Sequence, residues 1–144
     1  MPLQFRPAEP EDYFRIMEIW ESAVKATHHF LTEEDFEYYK RIIPLEYLPV
    51  LEIHLVTENE EAKGFAAVAE GNLEMLFIHN EVRGKGLGKK LYQMMQEQTP
   101  FTKVDVNEQN PQAIGFYEKL GFRKTGRSEK DGSGKEYPVI HMSL

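Results

Sequence analysis

The chain contains no cysteine. Disulfides, thiolate metal sites and a cysteine nucleophile are thereby excluded, and a reducing compartment is permitted. Long apolar runs are missing too: Met1 to Pro10 has no hydrophobic core of signal-peptide length, and no stretch approaches a membrane span. The expectation is a soluble, cytoplasmic protein with no membrane partner. Basic charge is the scarcer sign, with Lys+Arg 17 against Asp+Glu 24 and a formal net charge of -7. A general nucleic-acid binder needs a basic surface, so no nucleic-acid partner is expected. Repeats, low-complexity tracts and linkers are absent, and 144 residues suffice for one domain with a real core but not for two. Residues 1–144 are therefore read as a single domain. Hydrophobic residues at 41% and charged residues at 28% place it among ordinary globular chains. His54, His79 and His141 are dispersed, and no spacing suggests a metal site.

What is present is a local exception to the acidic balance. Between Glu81 and Glu97 every charge is positive, and the charges surround a glycine-rich turn, Arg83-Gly84-Lys85-Gly86-Leu87-Gly88-Lys89-Lys90. Glycines at alternate positions let a backbone approach a ligand closely, and a turn opening a helix aims unpaired N–H groups at an anion. The turn reads as a phosphate cradle. A Walker A loop fails because Gly84 leaves too few residues before Gly88-Lys89 and Lys90 stands where Ser or Thr is needed. A dinucleotide fingerprint fails because Lys89 or Leu91 occupies its last glycine position. The pattern that remains is Arg-x-x-Gly-x-Gly, carried by Arg83, Gly86 and Gly88.

A second signature runs from Asn110 to Phe122. Asn110 suits an N-cap and Pro111 the first helical position; Ala113, Phe116, Tyr117 and Leu120 form one face, and Gly121 ends the helix. Together the two signatures resemble, in order and separation, the acyl-CoA pyrophosphate loop and the Asn-x-x-Ala-x-x-Phe-Tyr-x-x-x-Gly-Phe helix of the GNAT family, the Gcn5-related N-acetyltransferases. The segments Ala26 to Leu31, Asn107 to Asn110 and Thr125 to Ser128 are similar to a small bacterial YjaB-like branch of it.

Periodicity predicts a strand at Leu3–Arg6 and helices at Glu11–Val24 and Thr32–Ile43, the second capped by Thr32 and stopped before Pro44. Leu45 to Val50 reads as irregular. Strands follow at His54–Glu58, Lys63–Glu70 and Leu73–Ile78, then the loop and a helix at Leu87–Gln98. A strand at Lys103–Val106, a helix at Asn110–Leu120 and strands at Arg123–Ser128 and Tyr137–Met142 complete the order. This matches an α/β, or by some schemes α+β, GNAT fold across nearly the whole chain. A mixed central sheet of six to seven strands with about four helices is expected.

The resemblance implies an N-acetyltransferase with acetyl-CoA as co-substrate and no metal. The acetyl group would pass to a primary amine of a small molecule, peptide or protein by direct attack through a tetrahedral intermediate. The strands ending at Ile78 and beginning near Lys103 would part into a cleft. Leu76, Phe77 and Ile78 would line the pantetheine arm, and the amides of Val82, Arg83, Gly84, Lys85, Gly86, Leu87, Gly88 and Lys89 would hold the pyrophosphate. Asn107, Asn110, Ala113, Phe116 and Tyr117 would complete the cofactor wall, although Asn107 fits a simple turn equally well. Periodicity alone reads Tyr117 as a core residue, whereas the family motif makes it the general acid. Strand alternation puts Glu70, Asn72, Glu74, Leu76 and Ile78 on one face. Because a carboxylate on this strand activates the amine in several GNAT enzymes, the resemblance makes Glu74 the best-placed base, although a solvent-facing strand charge fits it equally well. His28 and His29 are alternative bases and, with Phe30, candidate acceptor-binding residues. A non-catalytic acyl-CoA sensor is the competing reading, and the oligomeric state is left as monomer or homodimer.

Overall fold

A computed structural model describes residues 2–144. The strands β1 (Leu3–Pro7), β2 (Glu52–Glu58), β3 (Glu61–Ala69), β4 (Asn72–Ile78), β5 (Lys103–Asn107), β6 (Arg123–Ser128) and β7 (Val139–Ser143) form one sheet in the order β1-β2-β3-β4-β5-β7-β6. The helices are α1 (Tyr13–Thr27), α2 (Glu33–Ile42), α3 (Leu87–Gln98) and α4 (Pro111–Lys119). All neighbours pair antiparallel except β4 and β5, which run parallel and are joined through α3, as a parallel pair requires. The expected element order and sheet size are met.

Tight turns set the register of the first strands. Asn59 and Glu60 between β2 and β3, then Glu70 and Gly71 between β3 and β4, all take positive φ, the backbone form that closes two-residue hairpins. β3 is buried on both faces, so its residues alternate between two cores. Phe65 and Ala67 join Ile16, Ile19 and Trp20 of α1, while Ala66 and Val68 join Leu91 and Met95 of α3. Side chains as fully removed from water as Leu91 and Ile16, both at 0% exposure, each contribute about 1.5–3 kcal/mol.

Two expectations are corrected. The chain does not leave helical conformation at Pro44: a π-helical turn covers Ile43–Tyr47 and a 3₁₀ turn Leu48–Val50. Pro44 falls in the first turn of the new segment, where a missing N–H costs least. Strict alternation along β4 also fails. Ala67 pairs with Met75 but Val68 with Leu73, which leaves Glu74 as the extra residue of a β-bulge. Leu73, Leu76 and Ile78 therefore share the α3 side, and Met75 and Phe77 the α1 side.

Gly64 of β3 lies opposite Ile78 in the β3–β4 register. A Cβ there would meet Ile78 Cδ1 at 2.5 Å, the Phe77 carbonyl oxygen at 3.0 Å and Val56 Cγ1 at 3.2 Å. Gly64→Ala is expected to lower stability by about 1–3 kcal/mol through overpacking, measured by urea unfolding. Unchanged stability would show that β3 and β4 shift apart freely.

Candidate active site

β4 and β5 are paired only at Asn72–Lys103 and Leu73–Val104. Beyond that point β5 keeps its antiparallel partner β7, β4 keeps β3, and the facing edges have no strand between them. A cavity of about 360 Å³ runs from this opening to the glycine loop. Leu76, Phe77, Ile78, Val82, Arg83, Gly84, Gly86, Leu87, Gly88 and Lys89 line it from one side, and Asn110, Ala113, Phe116 and Tyr117 from the other. The two sequence signatures meet across one cleft.

The loop end is built to present donors. Gly84 (φ 81) and Gly86 (φ 78) are left-handed, a conformation that costs an ordinary L-residue about 1–2 kcal/mol. Thr32 caps α2 by accepting from Asp35 N–H, and Asn110 caps α4 by accepting from Ala113 N–H. The N-cap of α3 is Gly86, which has no side chain to offer. Among the described residues, no backbone N–H from Gly84 to Lys89 finds an acceptor within the chain. Those amides and the positive end of α3 suit an anion. Gly88 needs no special φ, and a Cβ there would lie 3.9 Å from Ile78 and Phe116, filling the cleft itself. Arg83 is steadied by a 3.1 Å hydrogen bond to Gln112, a cleft residue that sequence reasoning did not single out.

Tyr117 is at once a core residue and part of the cleft wall. It is 7% exposed, and its ring packs edge-on against Phe116 and Phe122 with centroids 5.1 and 5.7 Å away, yet it also lines the cleft. Burial, with Tyr92 adding to it, raises the phenol pKa above its ordinary value, so the hydroxyl is protonated at neutral pH.

His28 also lines this cleft, while His29 lines only the neighbouring cavity beside α2. Thr27 Oγ1 donates to the Ala23 carbonyl at 2.8 Å and lies 2.7 Å from His28 Nδ1. Its one proton being used, the hydroxyl accepts from Nδ1–H, which leaves Nε2 as the bare ring nitrogen. Burial, reinforced by His29, pushes the His28 pKa down to about 4. Phe30 packs between His28 and Tyr137, with centroids at 5.1 and 5.9 Å. Asn107 and Lys85 are not among the residues lining the cleft. Asn107 Oδ1 is buried without a hydrogen-bond partner, and its carbonyl accepts from Asn110 N–H in the turn to α4.

Glu74 is separated from Leu76 and Ile78 by the bulge. It lines a second cavity, about 830 Å³, with Tyr39, Tyr47, Glu52, Glu70, Met75, Asp131 and Ser133. Desolvation, then the charges of Asp105 and Glu70, raise the Glu74 pKa against a lowering hydrogen bond from Asn72. Tyr39 donates to Asp131, and the hydroxyls of Tyr47 and Ser133 are 2.5 Å apart, so α2 and the π-helical turn are tied to the β6–β7 loop. Carboxylates of Glu52, Glu70, Glu74 and Asp131 line this cavity, and among the described residues no Lys, Arg or His does. Tyr39, Tyr47, Glu52 and Asp131 carried no motif in sequence.

A mixed sheet parted beside an uncapped, glycine-opened helix is the architecture of an acyltransferase. The sequence profile of the acetyltransferase (GNAT) domain matches residues 21–144, and the chain belongs to the GNAT family of N-acetyltransferases. It is 36% identical over 143 residues to the peptidyl-lysine N-acetyltransferase YjaB of Salmonella typhimurium, covering 99% of this chain and 98% of that protein. The apo solution structure of YjaB from Escherichia coli superposes with a TM-score of 0.89 at 34% identity, covering 99% of this chain and 97% of that one. The PaiA N-acetyltransferase of Thermoplasma acidophilum, solved with coenzyme A, shares the fold at a TM-score of 0.74 and 18% identity over the whole of both chains. Among the described residues, no helix is long and apolar enough to cross a membrane.

His28 is expected to stay neutral with its proton on Nδ1 from pH 8 to pH 5, as read by long-range ¹H–¹⁵N NMR. Because its folded pKa of about 4 lies below the unfolded value of about 6.5, the unfolded chain binds the extra proton between them. Stability is therefore complete above the unfolded pKa and falls as pH drops toward 4, with a slope of up to about 1.4 kcal/mol per pH unit from this residue. His28→Gln should remove that share of the acid loss. An identical pH profile in the variant would show that His28 titrates normally.

Proposed function

We propose that this enzyme transfers the acetyl group of acetyl-CoA to a lysine side-chain amine of a peptide or protein in the cytoplasm. The observation that carries the reading is the meeting of the open cleft and the acid-lined cavity at β4. Leu76, Phe77 and Ile78 line the first, and Glu74 lines the second. Relatives that are named peptidyl-lysine N-acetyltransferases support the acceptor class, and coenzyme A in the PaiA structure supports the donor. A cavity with several carboxylates and no cationic side chain favours a protonated amine over an anionic acceptor.

The chain's features fit such a donor. The free amides of Gly84 to Lys89 and the side chain of Arg83 would hold the pyrophosphate, and the open edge of β4 would take the pantetheine arm as an added strand. Gly88 leaves the room that a side chain would fill. When bound, acetyl-CoA supplies an acetyl group activated as a thioester. Glu74 takes a proton from the acceptor ammonium, and its raised pKa makes it a stronger base than an ordinary glutamate. Tyr117 supplies a proton on the donor side of the cleft. Its raised pKa keeps the proton in place until a strong acceptor arrives, and a thiolate, conjugate to an acid of pKa about 8.5, is such an acceptor only where the site also steadies the phenolate. His28, neutral and with Nε2 bare, borders the cleft as a hydrogen-bond acceptor for the incoming amine.

Acetyl-CoA-dependent thiol release, measured over lysine peptides, polyamines and small amines with the product identified by mass spectrometry, tests the reading. Acetylated lysine peptide is expected. Acetyl-CoA binding without thiol release across the panel would overturn transfer in favour of a sensor. Tyr117→Phe should lower kcat by about 10²–10⁴-fold while leaving the acetyl-CoA Kd within about twofold. Unchanged kcat would remove Tyr117 from the chemistry. Gly88→Ala should keep the melting temperature and weaken acetyl-CoA by about tenfold or more, measured by calorimetry. Equal affinity would place the pantetheine elsewhere.

A further inference from the structure

β4 and β5 pair last at Leu73 and Val104, so Glu74 and Asp105 are the first residues beyond that pair on either side of the opening. Val104 joins the core beneath α3, and Asp105, next along the strand, points to the opposite face. The bulge turns Glu74 toward that same face, among the residues of the acid-lined cavity. The charge of Asp105 is among the causes that raise the Glu74 pKa, after desolvation.

Asp105 is held. Its Oδ1 lies 2.6 Å from His141 Nδ1, and His141 Nε2 lies 2.6 Å from Ser128 Oγ. The Asp105 carboxylate accepts from His141 Nδ1–H, and Ser128 Oγ hydrogen-bonds Nε2 on the other side of the ring. Asp105 and His141 are direct partners of β5 and β7. The ring extends over β6 at Gly126, where a Cβ would sit 3.6 Å from His141 Cδ2. Gly126 and Ser128 belong to the Thr125–Ser128 segment, which no part of the cleft uses.

A serine, histidine and aspartate in line also describe a hydrolase nucleophile. Position decides between the two readings. Ser128 stands on the outermost strand β6, with β7 and β5 between it and the opening, whereas Asp105 stands at the opening itself. The working end of the row is the carboxylate.

We propose that Asp105, fixed by His141 and Ser128, is a further carboxylate of the acceptor site and binds the incoming ammonium opposite Glu74. The proposal rests on amine acetylation as read above. One ammonium proton passes to the Glu74 carboxylate and from there to water, while Asp105 only holds the amine. As the C–N bond forms and the C–S bond breaks, the nitrogen sheds a second proton to water, and the thiolate takes one from Tyr117, which water restores. One proton is released per turnover. His141 is a positioning residue, and it acts only through Asp105.

Steady-state kinetics on a lysine peptide test the assignment in the full-length chain. Asp105→Asn should raise KM for the peptide by about tenfold or more with the acetyl-CoA Kd unchanged. His141→Ala should raise the peptide KM by about three- to tenfold, and the double variant should be no worse than Asp105→Asn alone. Glu74→Gln, run beside them, should act chiefly on kcat. A peptide KM unchanged in Asp105→Asn while Glu74→Gln is impaired overturns the proposal, as do additive effects of Asp105 and His141. Labelling of Ser128 by a fluorophosphonate, lost in His141→Ala, would make the serine the working end and also overturn it. If the wild-type chain acetylates a polyamine and no lysine peptide, the peptide reading falls and the same KM comparison on the polyamine decides Asp105. No amine acetylation at all overturns both.

Discussion

The parting of β4 from β5 after Leu73 and Val104 is the constraint on which the rest of the molecule depends. Both residues at the apex are almost wholly buried, so the wedge is closed at its narrow end by core packing. Divergence begins at the next residue, and that residue is the bulge. An extra residue in one strand bends it and increases its twist, while β7 holds β5 in its own antiparallel register. A sheet that remained paired would have no free β4 edge and no room between Ile78 and α4. The same bulge decides which groups face which cavity, since it shifts Leu76 and Ile78 to the α3 side and leaves Glu74 on the other.

The sheet consequently divides the electrostatics of the site. On one side, glycine-loop amides, Arg83 and Lys89 collect at the mouth of a cleft whose walls are mostly apolar. On the other, Glu52, Glu70, Glu74 and Asp131 stand around tyrosines of α2 and the π-helical turn. On the function proposed above, a donor carrying phosphate and an acceptor carrying an ammonium would be drawn to opposite faces of one strand. The overall charge of -7 conceals this arrangement, because the four cations near α3 are outweighed elsewhere along the chain.

What was legible in sequence was local. Gly84 and Gly86 announce left-handed backbone within the loop, and Asn110 with Pro111 announces a capped helix, because those signals act over a few residues. The segments that pair into the sheet were legible by alternation. The bulge was not, since an extra residue appears only against its partner strand, and a face assignment for Glu74 inverted on that single shift. Continuation of helical structure past Pro44 was hidden for a similar reason: tertiary contacts such as Tyr47 with Ser133 hold a turn that local rules would end. Tyr39 with Asp131, and Asp105 with His141 and Ser128, join residues far apart in sequence that carry no motif. Asn107 read in sequence equally as a ligand residue or a turn, and in the structure its carbonyl serves the turn into α4 while its side chain is not part of the cleft lining.

The start of α3 shows how stability and function are set against each other. A helix N-terminus that opens on glycine in place of Ser, Thr or Asn forgoes roughly a few tenths of a kcal/mol, and this chain supplies side-chain caps at Thr32 and Asn110. At Gly86 it does not, and the loop before it spends two left-handed glycines on exposing amides rather than pairing them. An anion bound there does the work of the missing cap. By linkage, a ligand at about a hundred times its Kd stabilises the folded state by about 2.7 kcal/mol, more than the cap forgone. On the function proposed above, the donor's phosphates would complete the hydrogen bonding of α3 as they position the acyl group at the wedge.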